Sequence, residues 1–151
     1  MNYKGFSLLQ DGAMLLDQLK QLLVMEYAIR RRALPAIVAD IRRDSMSLPT
    51  PDAAAELLMM DKIWRGCGFW LRWLFFGNRP CLRRSLVLFR WRLRHGLPAK
   101  LLVGVDRQEG DLKGHAWLEI AGEAFREDET RLKDYVVMLE FEQEAVGPGE
   151  K

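Results

Sequence analysis

The 151 residues carry 23 Lys/Arg against 21 Asp/Glu and are 49% hydrophobic. That length and apolar content exclude a disordered chain and suit one compact domain with a real core, two separate domains being cramped. Cys67 and Cys81 are the only cysteines and His95 and His115 the only histidines; with no Cys-x-x-Cys or zinc-finger spacing, neither a disulfide framework nor a metal site is expected, and a reducing, cytoplasmic setting is the default.

The net charge of +2 hides a split, since residues 1–99 hold 16 Lys/Arg against 8 Asp/Glu and residues 100–151 hold 7 against 13. Two halves attracting one another, or a basic face that recruits an acidic peptide, would each account for it. The arginines stand in short helical groups beside apolar residues, with no nucleic-acid-binding motif. Charged residues interrupt the apolar N-terminal stretch too often for a signal peptide or membrane span. The run from Trp64 to Phe76 is too short to cross a bilayer, leaving an interfacial helix as the one membrane reading.

Residues 12–34 read as a helix, with Leu15, Leu16, Leu19, Leu22, Leu23 and Tyr27 as a broad apolar stripe and Arg30 to Arg32 at its C-terminal end. Pro35 interrupts it, and a shorter helix to about Asp44 turns Ile37, Val38 and Ile41 inward. After a loop, a third helix starts near Asp52, with Ala55, Leu58, Met59, Ile63 and Phe69 as candidate core. The aromatic and methionine group Met59, Met60, Trp64, Phe69, Trp70, Trp73, Phe75 and Phe76 suggests core packing before a ligand groove. Gly77 and Asn78 form a hinge into PCLRRSLVLFRWRLRHG, residues 80–96, where Leu82, Leu86, Phe89 and Leu93 make an inward face and Arg83, Arg84, Arg90 and Arg94 fall largely elsewhere.

The period then changes. Leu101 to Val105 reads as a buried strand, Asp106 to Lys113 as a polar turn and Gly114 to Ile120 as a second strand. Ala121 and Gly122 make a tight hairpin connection, Glu123 to about Asp128 the return, and Tyr135 to Phe141 a further strand; the tail frays. The expected fold class is α+β: a helical region over 1–79, then a core over 80–145 made of one helix and a small antiparallel sheet.

Pro80 fits just ahead of a helix, placing Cys81 at its start. There the unsatisfied N–H groups and the positive end of the helix dipole favour a thiolate, making Cys81 a candidate nucleophile; the alternative is a small packed side chain. Cys67, in RGCGF, has no such setting. His115 shares a strand face with Trp117 and Glu119, opposite Ala116, Leu118 and Ile120. His95 lies in the last turn of the Cys81 helix, about 20 Å away by helix rise, where a histidine is explained by the dipole. A cysteine and a histidine together suit thiolate attack on a carbonyl, with proton transfer to the leaving amine. The ring needs an orienting group. An unbulged hairpin sets Asp128 opposite His115, and a one-residue bulge sets Glu127 there. Trp117 either lines the substrate cleft or anchors the sheet.

CLRRSLVLFRWRLRHGLPAKLLVGV followed by GHAWLEIAGEAF resembles the B2-type leader peptidases of lasso-peptide biosynthesis, whose domain is related to transglutaminases and papain-like cysteine hydrolases. The resemblance covers about residues 80–128. It implies a transglutaminase-like fold without a cofactor, Cys81 as nucleophile, His115 as base, and Glu127 as the third residue, where aspartate is the more usual occupant. It also implies a ribosomally made precursor as substrate, cleaved before macrocyclisation. The implied partners are a separate leader-recognition protein and the macrolactam cyclase. An acyl-transfer enzyme of the same broad fold and a noncatalytic precursor-binding scaffold are the alternatives.

Overall fold

The computed structural model describes residues 2–3, 6–45, 48–74, 80–106 and 110–145. The expected hinge at Gly77 and Asn78 lies outside these residues, as do Phe75, Phe76 and the tail from 146 onward. Strands β1 (Asn2–Tyr3) and β2 (Phe6–Ser7) lead into α1 (Leu8–Arg31). Helix α2 (Leu34–Arg43) has Pro35 in its first turn, where a missing N–H costs nothing. Helix α3 (Ala53–Leu74) starts where the Asp52 carboxylate accepts from the Ala55 N–H at 2.8 Å.

Burial on α1 follows Asp11, Leu15, Gln18, Leu22 and Met25, alternating spacings of four and three. Leu15 and Leu22 of the expected stripe are inside, whereas Leu16, Leu23 and Tyr27 face outward. The apolar positions span more than one helix face, and paired polar side chains take part of the inner line. Asp11 meets Lys62 of α3 at 2.8 Å, and Glu26 pairs with a buried arginine. On α3 the inner face is Met60, Ile63, Gly66 and Cys67, so the expected Leu58 is displaced outward and is 55% exposed.

Helix α4 (Pro80–Arg94) packs against α1, α2, α3 and two strands of the main sheet. Leu86, Phe89 and Leu93 are buried as their spacing predicts, but Arg83 and Arg92 are buried too. A helix covered on nearly every side has no solvent stripe, so its long cations are retained through partners. Arg83 pairs with Glu26 of α1, while Arg92 reaches Glu56 of α3 at 2.5 Å and the Pro98 carbonyl at 2.8 Å. The expectation that Arg83 falls away from the inward face is therefore corrected.

Strands β3 (Ala99–Asp106), β4 (Lys113–Ile120), β5 (Glu123–Ala124) and β6 (Val136–Gln143) form an antiparallel sheet in the order β5-β4-β3-β6. A short helix, α5 (Glu129–Leu132), precedes β6. Ala121 and Gly122 have φ of 52° and 81°, the left-handed pair of a two-residue hairpin, and Ile120 faces Glu123 as expected. The return strand is much shorter than the six residues anticipated. Phe125 still donates to the Leu118 carbonyl at 2.8 Å, but Arg126, at φ 53°, turns the chain out of the ladder. Leu101 and Leu118 join the helical core with Leu86 and Phe89. The architecture is α+β, with a helical N-terminal half and a small four-stranded antiparallel sheet.

Candidate active site

Pro80 fills the first helical position of α4, and Cys81 follows it in the first turn, where N–H groups have no intrahelical partner. The N–H groups of Leu82 and Ala116 reach the Cys81 sulfur. One turn on, the Ser85 hydroxyl donates to the Ala116 carbonyl at 3.1 Å, fastening the helix start to β4. Ala116 and Leu118 are buried, while His115 on the alternate face remains partly exposed at the near end of the strand.

The His115 ring hydrogen-bonds Cys81 on one side, and its Nε2 lies 3.1 Å from Glu127 Oε2 on the other. With Nε2 directed at the carboxylate, Nδ1 is the nitrogen left for the sulfur. Trp117 stacks beside His115 with centroids 5.8 Å apart and Tyr135 flanks it at 5.4 Å, so the ring has little freedom to swing. Gly104, paired with His115 across the sheet, leaves room for the indole, since a Cβ there would lie 3.2 Å from the Trp117 ring. Trp117 is thus buried behind the histidine and does not line the cleft.

Glu127 reaches the ring because the chain leaves β5 at Arg126. Its neighbour Asp128 turns away and caps α5, accepting from the Thr130 N–H at 3.0 Å. A regular continuation of the hairpin would have placed Asp128 opposite His115; the left-handed residue replaces that register.

Burial would raise the Cys81 thiol, but its hydrogen bonds to His115 and to the Ala116 N–H, the imidazolium charge and the Leu82 N–H bring it below the ordinary thiol value. The same Cys81 contact, followed by Glu127, raises His115 to about 9 against the opposing effect of burial. Both shifts favour the thiolate–imidazolium form of the pair over the neutral one. Cys67, fully buried on α3, is pushed up to about 12 by loss of solvent and stays a thiol. His95 serves elsewhere, its Nδ1 lying 2.6 Å from the Pro49 carbonyl.

Cys81 and His115 open onto a cleft of about 690 Å³ whose α3 wall includes Trp64, Phe69, Arg72 and Trp73. The aromatic group read from sequence as core is divided by the structure: Met60 is buried, Trp70 donates to the Leu15 carbonyl at 2.9 Å, and Phe69 and Trp73 face the cleft. Arg84, one turn after Cys81, lies over Trp64 at 4.3 Å. Sequence reasoning kept a ligand groove as the second reading of the aromatic group and gave Arg72 and Arg84 no place in the site. The available signal was α3's aromatic spread, broader than a single buried stripe requires.

Comparison with curated proteins and with solved structures gives no match. A family model described as the transglutaminase-like superfamily matches residues 22–140, taking in the helical half as well as the sheet. The chain belongs to the transglutaminase-like superfamily, in the family with which the lasso-peptide B2-type proteins are associated.

Proposed function

We propose that the protein is a cysteine peptidase that removes the leader of a ribosomally synthesised lasso-peptide precursor before macrocyclisation. The observation that carries this reading is the hydrogen-bonded series Cys81, His115 and Glu127 at the mouth of the cleft. The leader-core junction is the substrate bond implied by the lasso-peptide resemblance.

The Cys81 thiolate attacks the carbonyl carbon of the last leader residue. The developing oxyanion is met by the Cys81 N–H, which helix geometry leaves without an intrahelical acceptor. Collapse of the tetrahedral species breaks the C–N bond, and the imidazolium of His115 gives its proton to the departing core amine. The leader remains as a thioester on Cys81. Neutral His115 then takes a proton from water as the water oxygen attacks the thioester, and breakdown expels the Cys81 thiolate beside the imidazolium and releases the leader acid, which ionises in solvent. Glu127 holds the ring orientation and stabilises its charged form throughout.

The partners proposed with this function are a separate leader-recognition protein and the macrolactam cyclase, which uses the freed amine. Mass measurement of a precursor incubated with the purified protein and recognition partner tests the reading. Two products are expected whose masses sum to the precursor plus one water, the core fragment carrying a free amine. Intact precursor under conditions where the partner is bound, or transfer of the leader to an amine without water uptake, would overturn it.

A further inference from the structure

We infer that Arg126 is a positioning residue, clamped by α3 so that Glu127 stays against His115. This rests on the proposed role of Glu127 and extends the working assembly to residues outside the hydrogen-bonded series.

Glu127 lies beyond the end of β5, so no strand pairing fixes it. The residue before it is non-glycine with φ 53°, a backbone state that needs support from its surroundings. Support comes from α3: the Arg126 guanidinium pairs with Asp61 and lies over the Trp64 ring at 4.9 Å. Asp61 is itself held on the helix by Arg65 at 2.6 Å. Consecutive side chains thus diverge, Arg126 toward α3 and Glu127 toward β4. Releasing the first lets the second leave the ring.

The ring is faced by Cys81 from α4, Glu127 from the turn and Tyr135 ahead of β6, with the Arg84 charge interacting with Glu127. Of these groups, Glu127 is the one whose place depends on the clamp. Removing the clamp should weaken the imidazolium without altering the thiol's helix-start setting.

The test compares Arg126→Ala, Asp61→Asn, Arg126→Lys, Glu127→Gln and the Arg126→Ala/Glu127→Gln double variant, with folding checked by circular dichroism. The readouts are the ultraviolet thiolate titration and steady-state cleavage. Arg126→Ala and Asp61→Asn should move loss of the thiolate–imidazolium pair to lower pH and reduce kcat on the order of 10- to 100-fold with KM little changed. Arg126→Lys should recover part of both effects. The double variant should be no worse than Glu127→Gln alone, because Arg126 acts through Glu127. Additive losses, or an unshifted titration in Arg126→Ala beside a shifted Glu127→Gln, would overturn the clamp. A wild-type titration in Glu127→Gln would instead overturn the role of Glu127 on which it rests.

Discussion

Cys81 and Cys67 carry the same functional group in opposite environments. Cys81 takes hydrogen bonds from the Ala116 and Leu82 N–H groups and from His115, while Cys67 is enclosed among apolar side chains. Iodoacetamide at neutral pH should therefore alkylate Cys81 in the folded protein and reach Cys67 only after denaturation, as peptide mapping would show. Equal labelling in the native state would contradict the assigned environments. The Cys81–His115 pair also sets a pH window. His115 is raised to about 9, so its favourable contribution to folding is fully present below its ordinary 6.5 and is lost as pH rises through about 9. Cys81 is lowered, so its contribution is present above 9.0 and falls as pH drops through its reduced value. The pH profile of kcat/KM should be bell-shaped, with its alkaline limb near 9 and its acid limb below the ordinary thiol value. Glu127→Gln should move the alkaline limb down and lower the rate on the order of 10²- to 10⁴-fold. An unchanged limb would remove Glu127 from the assembly.

Among the elements, α4 shows what sequence pattern conveys and what it hides. Leu86, Phe89 and Leu93 were legible from their period, and Pro80 before Cys81 marked the helix start. The buried arginines were not legible, because their partners Glu26 and Glu56 belong to other helices and the enclosure of α4 on several sides has no local signature. Glu26 is held below the usual carboxylate range by its hydrogen bond to Arg83, against burial, with help from Arg30. Its contribution is present above its ordinary 4.5 and is lost as pH falls through the lower folded value. Glu26→Ala should cost about 3–5 kcal/mol in chemical denaturation by taking a carboxylate partner from the buried Arg83 cation. Its effect on kcat should be small in protein that remains folded. A stability change under about 1 kcal/mol would show that the Glu26 carboxylate is not what holds the Arg83 cation inside. The hairpin gives a finer lesson. Ala121-Gly122 fixed the turn, yet the choice between Glu127 and Asp128 hung on one left-handed residue, Arg126, whose stabilising contacts come from α3.

At the scale of the molecule, the helical half and the sheet meet at the site. Cys81 begins the enclosed helix, His115 stands on β4, and the cleft wall is drawn from α3. The two alternating periods exposed this α+β division in sequence, while the double use of α3, as core on one face and cleft on another, required the third dimension. No described helix is long and apolar enough to cross a membrane. Arg30, Arg42 and Arg43 leave cationic side chains on the surface of the helical half. If that basic surface contributes to precursor or recognition-protein docking, binding measured by fluorescence anisotropy should weaken as salt rises, with KM for precursor increasing and kcat changing less. Salt-independent binding would assign recognition to other surfaces. The central claim, that Cys81 carries the leader as a thioester, is tested most directly by acid-quenched intact-mass measurement during cleavage, with the modified residue mapped. The account predicts a transient adduct equal to the leader less one water on Cys81, retained in Cys67→Ala and absent with cleavage in Cys81→Ala; continued leader removal by folded Cys81→Ala would contradict it.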